Sequence, residues 1–347
     1  MKFVNLGNTE LTVTDFCLGT MTWGEQTDEV DAHKQIEMSL DAGINFIDTA
    51  EMYPVCPLRA ETTGDTERIL GNWLGKNSQK RKELVIATKI SGKGYKNVRN
   101  GKGIFPKEIR LAIEGSLKNL QTDYIDLYQL HWPNRGSYHF RQYWNYDPTS
   151  QDSKIERENI QLVVKELYAL KKEGKITQFG FSEISPVSLE KANKIHHVGA
   201  IQSEYSLSTR FPELGLLQKT KKLETAFVAF SPVGRGLLTD KPPSPERVKE
   251  SPFLSINPRF QEPNLSENIK AVKGFQKLAR DYQLSTAGLA IAWLLAKDEH
   301  IIPIPGTRST THLKEMIKGT EKKLSQSDLL AIEKIIPVGW AHGDRYS

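Results

Sequence analysis

The sequence predicts an α/β fold, a (β/α)8 barrel, and three observations carry that expectation. Eight short apolar runs recur along 347 residues, segments with a 3.6-residue apolar period lie between them, and several of the runs close on titratable or polar groups. Repeated strand–helix units with continuously apolar strands imply a parallel sheet buried on both faces, and eight such units in one chain favour closure. An open, doubly wound sheet is the structural alternative. After the first run, however, LGTMTWGEQ carries only Gly19 and Gly24, not the Gly-x-Gly-x-x-Gly turn that such sheets use for dinucleotides.

The elements follow in order. An opening hairpin, FVNLGNTELTV, is expected to cap the bottom of the barrel, ahead of a first strand at about 15 to 20. A helix over 29 to 42 carries Val30, Ile36 and Leu40 and stops at Gly43, and the second strand spans 45 to 50. Residues 66 to 74 present Ile69, Leu70, Trp73 and Leu74 before the strand 84 to 89; residues 107 to 120 present Ile109, Ile113, Leu117 and Leu120 before 125 to 131. A longer helix over 157 to 173, with Ile160, Val163, Val164, Leu167 and Leu170, ends at Gly174 and leads to strand 178 to 183. Weaker patterns at 186 to 195 and 213 to 222 separate the strands 200 to 205 and 226 to 232. Two further helices, 266 to 283 and 286 to 297, precede the last strand at 301 to 305; the second (TAGLAIAWLLA) is apolar on nearly every face and is expected to be buried. Three long loops, 51 to 64, 91 to 105 and the aromatic WPNRGSYHFRQYWNYD after His131, fall on the rim where strands end, and loops of that length shape pockets.

Composition narrows the function classes. An even mix of apolar and charged segments shows no seam, so one domain over 1 to 347 is expected. No run of 18 apolar residues is present and MKFVNLGNTE has no basic, apolar leader, so a soluble, cytoplasmic protein without membrane association is expected. Two cysteines make no disulfide framework, and neither Cys17 nor Cys56 has metal-ligand spacing; no metal is expected, and Cys56 is assigned no role. The net charge of +5, from 47 basic and 42 acidic residues, is scattered and forms no stripe, which argues against a nucleic-acid partner.

The chemistry gathers at strand ends. NFIDTAEMY sets Asp48 at the end of one strand and Tyr53 on the loop after it; LVIATK ends on Lys89, IDLYQLH on His131, and QFGFSE on Ser182 and Glu183. Taken singly, Lys89 is as well explained by a structural ion pair with Asp48, Tyr53 by a packed aromatic and His131 by a satisfied core histidine. Together at successive strand ends they are hard to explain as packing. An ammonium near a phenol stabilises the phenolate and makes the tyrosine a competent general acid.

These segments are recognisable. With GINFIDTAEMYP, IATK and DYIDLYQLHWP in order, the chain resembles the aldo-keto reductase family over nearly its whole length; LGTMTWGEQ and GNWLG are similar to the bacterial Tas-type reductases, and SEISP, IQSEYS and SPVGRGLLT to the pyridoxal-reducing branch. The resemblance implies a TIM barrel with an N-terminal hairpin and extra C-terminal helices, binding an extended NADPH and reducing an aldehyde or ketone. It implies Tyr53 as general acid, Asp48 and Lys89 tuning it, and His131 polarising the carbonyl. It also implies cofactor contacts at Thr20 and Met21; at Ser182, Glu183 and Gln202 around the nicotinamide carboxamide; and at Phe230, stacked on the ring where many relatives carry Tyr. Ser231, Val233, Gly234, Gly236 and Leu237 match the strap around the pyrophosphate; Gly306, Thr307, Arg308, His312 and Glu315 match the adenosine 2′-phosphate and adenine site. Glu183 stands where most relatives have Asn, and a carboxylate accepts from the amide nitrogen but cannot donate to its oxygen. His312 stands where many have Arg, and Met316 where many have Asn. Trp23, Tyr53 and Trp132 are expected to line the substrate pocket with the 133 to 155 loop over it, favouring apolar or aromatic carbonyls.

Two other classes remain open at this stage: a Schiff-base lyase using Lys89 as nucleophile, and a cofactor-sensing protein like the potassium-channel β subunits that share the fold. No long segment precedes the barrel, so no obligate protein partner is expected.

Overall fold

The computed structural model describes residues 1–55, 57–134, 147, 149 and 152–345. Strands β1 (Phe3–Asn5) and β2 (Thr12–Thr14) pair antiparallel as the expected hairpin. The eight strands that follow are β3 (Cys17–Gly19), β4 (Phe46–Asp48), β5 (Val85–Ile90), β6 (Ile125–Leu130), β7 (Ile176–Ser182), β8 (Ala200–Glu204), β9 (Ala226–Phe230) and β10 (Ile301–Ile304), paired in chain order and all parallel. The last and first strands meet where Gly19 bridges Gly306 and its N–H donates to the Pro305 carbonyl at 3.0 Å. A Cβ at position 19 would sit 3.0 Å from that carbonyl oxygen and 3.2 Å from Ile304 Cγ2, so glycine is what lets the two strands close. The result is a (β/α)8 barrel.

The helices are α1 (Glu29–Asp41), α2 (Asp65–Lys76), α3 (Pro106–Leu120), α4 (Ser153–Lys172), α5 (Pro186–Asn193), α6 (Leu216–Lys222), α7 (Pro245–Glu250), α8 (Asn264–Asp281), α9 (Thr286–Lys297), α10 (Thr310–Gly319) and α11 (Gln326–Ile335). Helix α4 begins four residues before the expected start, because Asp152 caps it by accepting from the Lys154 and Ile155 N–H groups. Helix α6 is shortened by Gly215, at φ 134, which separates it from a preceding 3-10 turn. Helix α7 lies outside the sequence expectation, whereas α11 is one of the extra C-terminal helices that the resemblance implies, its start marked by a capping box of Ser325 and Asp328. Helix α9 is buried along residues 286 to 294, as its all-round apolarity requires. No described helix is long and apolar enough to cross a membrane.

Strand alternation sorts the core into two layers. Phe46, Val85, Ala87, Leu127, Ala200, Ala226, Val228, Ile302 and Ile304 point into the barrel, where Leu6, Leu11 and Val13 of the hairpin region join them and plug the bottom. Their alternates Ile47, Ile86, Ile90, Tyr128, Phe179, Phe181, Ile201 and Phe227 pack outward against the helices. Burying each such side chain is worth about 1.5–3 kcal/mol, so a slip of one residue, which would exchange the layers, is strongly disfavoured. That same alternation carries forward to the strand ends: 46 and 48, 85, 87 and 89, 127 and 129, 200 and 202 share the interior face. Asp48, Lys89, Gln129 and Gln202 therefore form the top layer inside the barrel.

Candidate active site

Asp48 is the hub of that layer. Its Oδ2 accepts from Lys89 Nζ at 2.5 Å, and its Oδ1 accepts from Gln129 Nε2 at 3.0 Å and from Gln202 Nε2 at 2.9 Å. Lys89 Nζ also donates to the Thr49 carbonyl at 2.8 Å, and Thr20 Oγ1 donates to the Asp48 carbonyl at 2.8 Å. Lys89 has no exposed surface and Asp48 is 4 % exposed. A buried ion pair persists only when its remaining valences are met by hydrogen bonds, and here amides and carbonyls meet them. Burial pulls the Lys89 ammonium down, but the charges of Asp48 and of Tyr53 pull it up further, and its net shift is upward. Gln129, fully buried and in register with Lys89 across β5 and β6, is a member of the cluster that sequence reading missed.

Tyr53 and His131 stand above this layer. The Lys89 ammonium lies 5.0 Å from the centroid of the Tyr53 ring, and the rings of Tyr53 and His131 meet edge-on at 5.5 Å and 77°. Trp132 follows at 4.9 Å from His131, with its indole N–H on the Lys93 carbonyl at 3.3 Å. Burial, and secondarily the Lys89 charge, hold His131 well below the usual imidazole range, so the ring is neutral near pH 7; its Nδ1 is buried without a hydrogen-bond partner among the described residues. Ala50, Met52 and Tyr53 pack with Met21, Val55, Tyr95, Val98 and Trp132 into a small apolar cluster at the mouth. The loop 91–105 is pinned there: Arg99 pairs with the Glu51 carboxylate, donates to the Ser91 carbonyl at 2.8 Å and lies 3.8 Å from Glu108, while the Ser91 N–H donates to Glu51 at 2.6 Å. Most of the aromatic loop after His131 lies outside the described residues, as does Cys56. Cys17 is buried inside the barrel and its thiol is pushed well up by burial.

Trp23 departs from expectation. Rather than lining a pocket it is fully buried in the layer between barrel and helices, its indole N–H donating to Gln35 Oε1 at 3.2 Å. Trp132, in contrast, is half-exposed beside His131.

The residues matched to a dinucleotide run along the same rim. Ser182, the last residue of β7, pairs in register with Gln202 within β8, and Phe230 ends β9 half-buried. Glu183, Ser231 and Arg235 all adopt left-handed backbone, at φ 54, 53 and 57, a conformation costly for non-glycine residues and concentrated at ligand sites. In the loop 231–237 the N–H groups of Gly234, Gly236 and Leu237 donate to Ser231, Val233 and Gly234 carbonyls, and the Leu237 side chain is in the core. These three N–H groups are thus used within the turn. Gly234 is required by packing: at φ 58, a Cβ there would lie 2.8 Å from Ser208 Oγ. Past β10, Gly306, Arg308 and His312 are exposed and Glu315 half-buried, while Thr307 is tied to Ser309 and to Gln35. Ser309 occupies the N-cap of α10 without bonding the helix, so no side chain occupies the first-turn N–H groups through that cap. Met316 is buried in the core and is a packing residue.

A charge cluster beside the strap lies outside the sequence expectation. Buried Glu204 accepts from Thr209 Oγ1 at 3.1 Å and lies 3.4 Å from Arg235, 3.9 Å from Arg259 and 3.8 Å from Arg345; Arg345 Nη2 donates to Glu183 Oε2 at 2.8 Å. Burial raises the Glu204 carboxyl, but Arg235, Arg345 and Arg259 outweigh it and hold it below the usual range. Asp344 adds a third carboxylate charge near Arg259, so the three guanidinium groups are balanced in charge and what they offer a pyrophosphate is N–H donors. With α10 and exposed Arg308, the donor set suits NADPH.

The chain matches a model described as "Aldo/keto reductase family" over residues 15–337. It is 33% identical to Protein tas of Escherichia coli (strain K12), covering 96% of this chain and 97% of that protein. It is 32% identical to the Probable aldo-keto reductase 1 of Glycine max (95% and 86% covered) and 30% identical to Aldo-keto reductase yakc [NADP(+)] of Schizosaccharomyces pombe (98% and 93%). Among solved structures, the thermostable aldo-keto reductase Tm1743 is similar in fold, with a TM-score of 0.69 at 23% identity over 96% of this chain and all of that one.

Proposed function

Because this chain belongs to the aldo/keto reductase family, an oxidoreductase family acting on carbonyls, we propose that it reduces an aldehyde or ketone to the alcohol with NADPH, Tyr53 giving the proton. The observation that carries the reading is the protonated, buried Lys89, locked to Asp48 and 5.0 Å from the Tyr53 ring, with neutral His131 edge-on to that ring. The chemistry that NADPH would supply when bound is a hydride for the carbonyl carbon. Tyr53 transfers its phenolic proton to the carbonyl oxygen as negative charge develops there, and the Lys89 ammonium stabilises the phenolate left behind. Asp48 holds the ammonium in place, with Gln129 and Gln202 keeping the carboxylate itself oriented. A buried Nδ1 with no partner among the described residues is tolerated more readily as a lone pair than as an N–H, which places the His131 proton on Nε2, from which it would polarise the carbonyl oxygen. Arg235 and Arg259 by the strap, with Arg308 and the start of α10, would hold the phosphates. Trp132 and the Met21, Met52, Tyr95 and Val98 cluster favour an apolar or aromatic substituent on the carbonyl.

The upward shift of Lys89 and its bonds to Asp48 and the Thr49 carbonyl keep it protonated. That state opposes a nucleophilic, Schiff-base role.

Tyr53→Phe tests the assignment. NADPH fluorescence titration is expected to give wild-type affinity, while NADPH oxidation against a panel of aldehydes, diketones and pyridoxal falls by about 10²–10⁴-fold. Unchanged turnover overturns Tyr53 as the acid; tight NADPH binding by the wild type with no turnover on any carbonyl favours the sensor reading.

A further inference from the structure

Residues 340–345 return to the mouth of the barrel and are fastened there. Trp340 Nε1 donates to the Leu207 carbonyl at 2.8 Å, and His342 and Asn268 exchange two hydrogen bonds, N–H to Oδ1 at 2.8 Å and Nδ2 to carbonyl at 2.9 Å. The Gly343 carbonyl accepts from Arg259 Nε at 3.2 Å; the Arg345 carbonyl accepts from Arg235 Nη1 at 3.2 Å and Asn257 Nδ2 at 3.1 Å. Gly343 sits at φ 81, and a Cβ on it would lie 2.8 Å from the Pro258 carbonyl oxygen, so the seat is shaped for this segment. From that seat the Arg345 side chain reaches Glu183, which is 6 % exposed at the end of β7.

We propose that Arg345 is a positioning residue for the nicotinamide end of the cofactor, acting through Glu183. The inference rests on the reductase reading and on the place of Glu183 beside the carboxamide. A carboxylate at that position can rotate and is attracted to any nearby cation, whereas an amide would be held by its own donor and acceptor. Arg345 supplies a fixed cationic donor on Oε2, which neutralises the carboxylate and sets its plane; with about four acceptor sites on a carboxylate, capacity remains for the carboxamide N–H2. Arg345 thereby converts a charged residue into a directional acceptor, and the C-terminal segment becomes part of the cofactor site.

The test uses the full chain. Arg345→Gln is expected to weaken NADPH by about tenfold in fluorescence titration, and to leave the affinity for 2′-phospho-ADP-ribose, which lacks nicotinamide, within about twofold. In a Glu183→Gln background, Arg345→Gln is expected to have no further effect, and Arg345→Lys is expected to restore most of the NADPH affinity. Equal weakening of NADPH and of the analogue overturns the proposal, because Arg345 then acts on the phosphates; so does unchanged NADPH affinity, or additive effects of the two substitutions. Failure of the wild type to bind NADPH at all would instead overturn the reductase reading.

Discussion

Replacing Lys89 by Met removes the cation placed beneath Tyr53 while keeping the volume of the stem inside the barrel. At 5.0 Å from the ring centroid, an ammonium stabilises a phenolate by on the order of 3 kcal/mol at an effective dielectric of 20. Asp48, bonded to the same ammonium, offsets part of this, leaving about 2 kcal/mol, or roughly a 30-fold loss in kcat. The substitution also strands Asp48 among Gln129 and Gln202 with no counter-charge, at a stability cost of about 3–5 kcal/mol. For a chain this long that corresponds to roughly 4–7 °C in melting temperature. The assays are steady-state NADPH oxidation, NADPH titration and thermal melting on Lys89→Met, Asp48→Asn and the double variant. The expected pattern is lost kcat with little change in NADPH affinity for Lys89→Met, and a double variant that regains most of the stability and none of the activity. A kcat within threefold of wild type in folded Lys89→Met, or a double variant no more stable than the single, would refute the electrostatic account.

His131 is held neutral in the fold to well below 6.5, whereas the unfolded chain takes up its proton near that value. Its contribution to stability is therefore complete above about pH 6.5 and is lost as pH falls, at up to about 1.4 kcal/mol per pH unit; melting curves of His131→Asn from pH 7.5 down to about 5 should show a shallower slope than wild type, and parallel slopes would contradict it. Arg308→Ala is expected to weaken NADPH by about 10- to 100-fold and NADH little, as befits loss of a charge-assisted bond to the 2′-phosphate; equal effects on both cofactors would count against that role. Gly319→Ala would force a Cβ into the Gly288 carbonyl where α10 packs on α9. Overpacking there should cost about 1–3 kcal/mol and lower the melting temperature; an unchanged melt would show that the two helices separate freely.

Much of this protein is readable along the chain because its strands are short, apolar and punctuated by glycines and polar turns, so all eight barrel strands fall where the apolar runs lie. The same period-2 logic puts Asp48 and Lys89 on one face, since 46 and 48 and then 85, 87 and 89 alternate inward. It also covers Gln129, two residues beyond inward-facing Leu127, although only the pairing of Lys89 with Gln129 across β5 and β6 marks it as a partner of Asp48. Trp23 shows where local pattern stops: an aromatic in a loop next to a strand end can turn to the mouth or to the helices, and its bond to Gln35 of α1 turns it inward. The arginine cluster lies further still from local reasoning. Arg345 and Glu183 are 162 residues apart in the chain, and the segments that carry them meet only because the barrel closes and the tail folds back over its mouth. Local periodicity specifies which face each strand buries; which distant charges come together depends on how the barrel closes, since ion pairs are set by proximity in space and leave no periodic trace in the sequence.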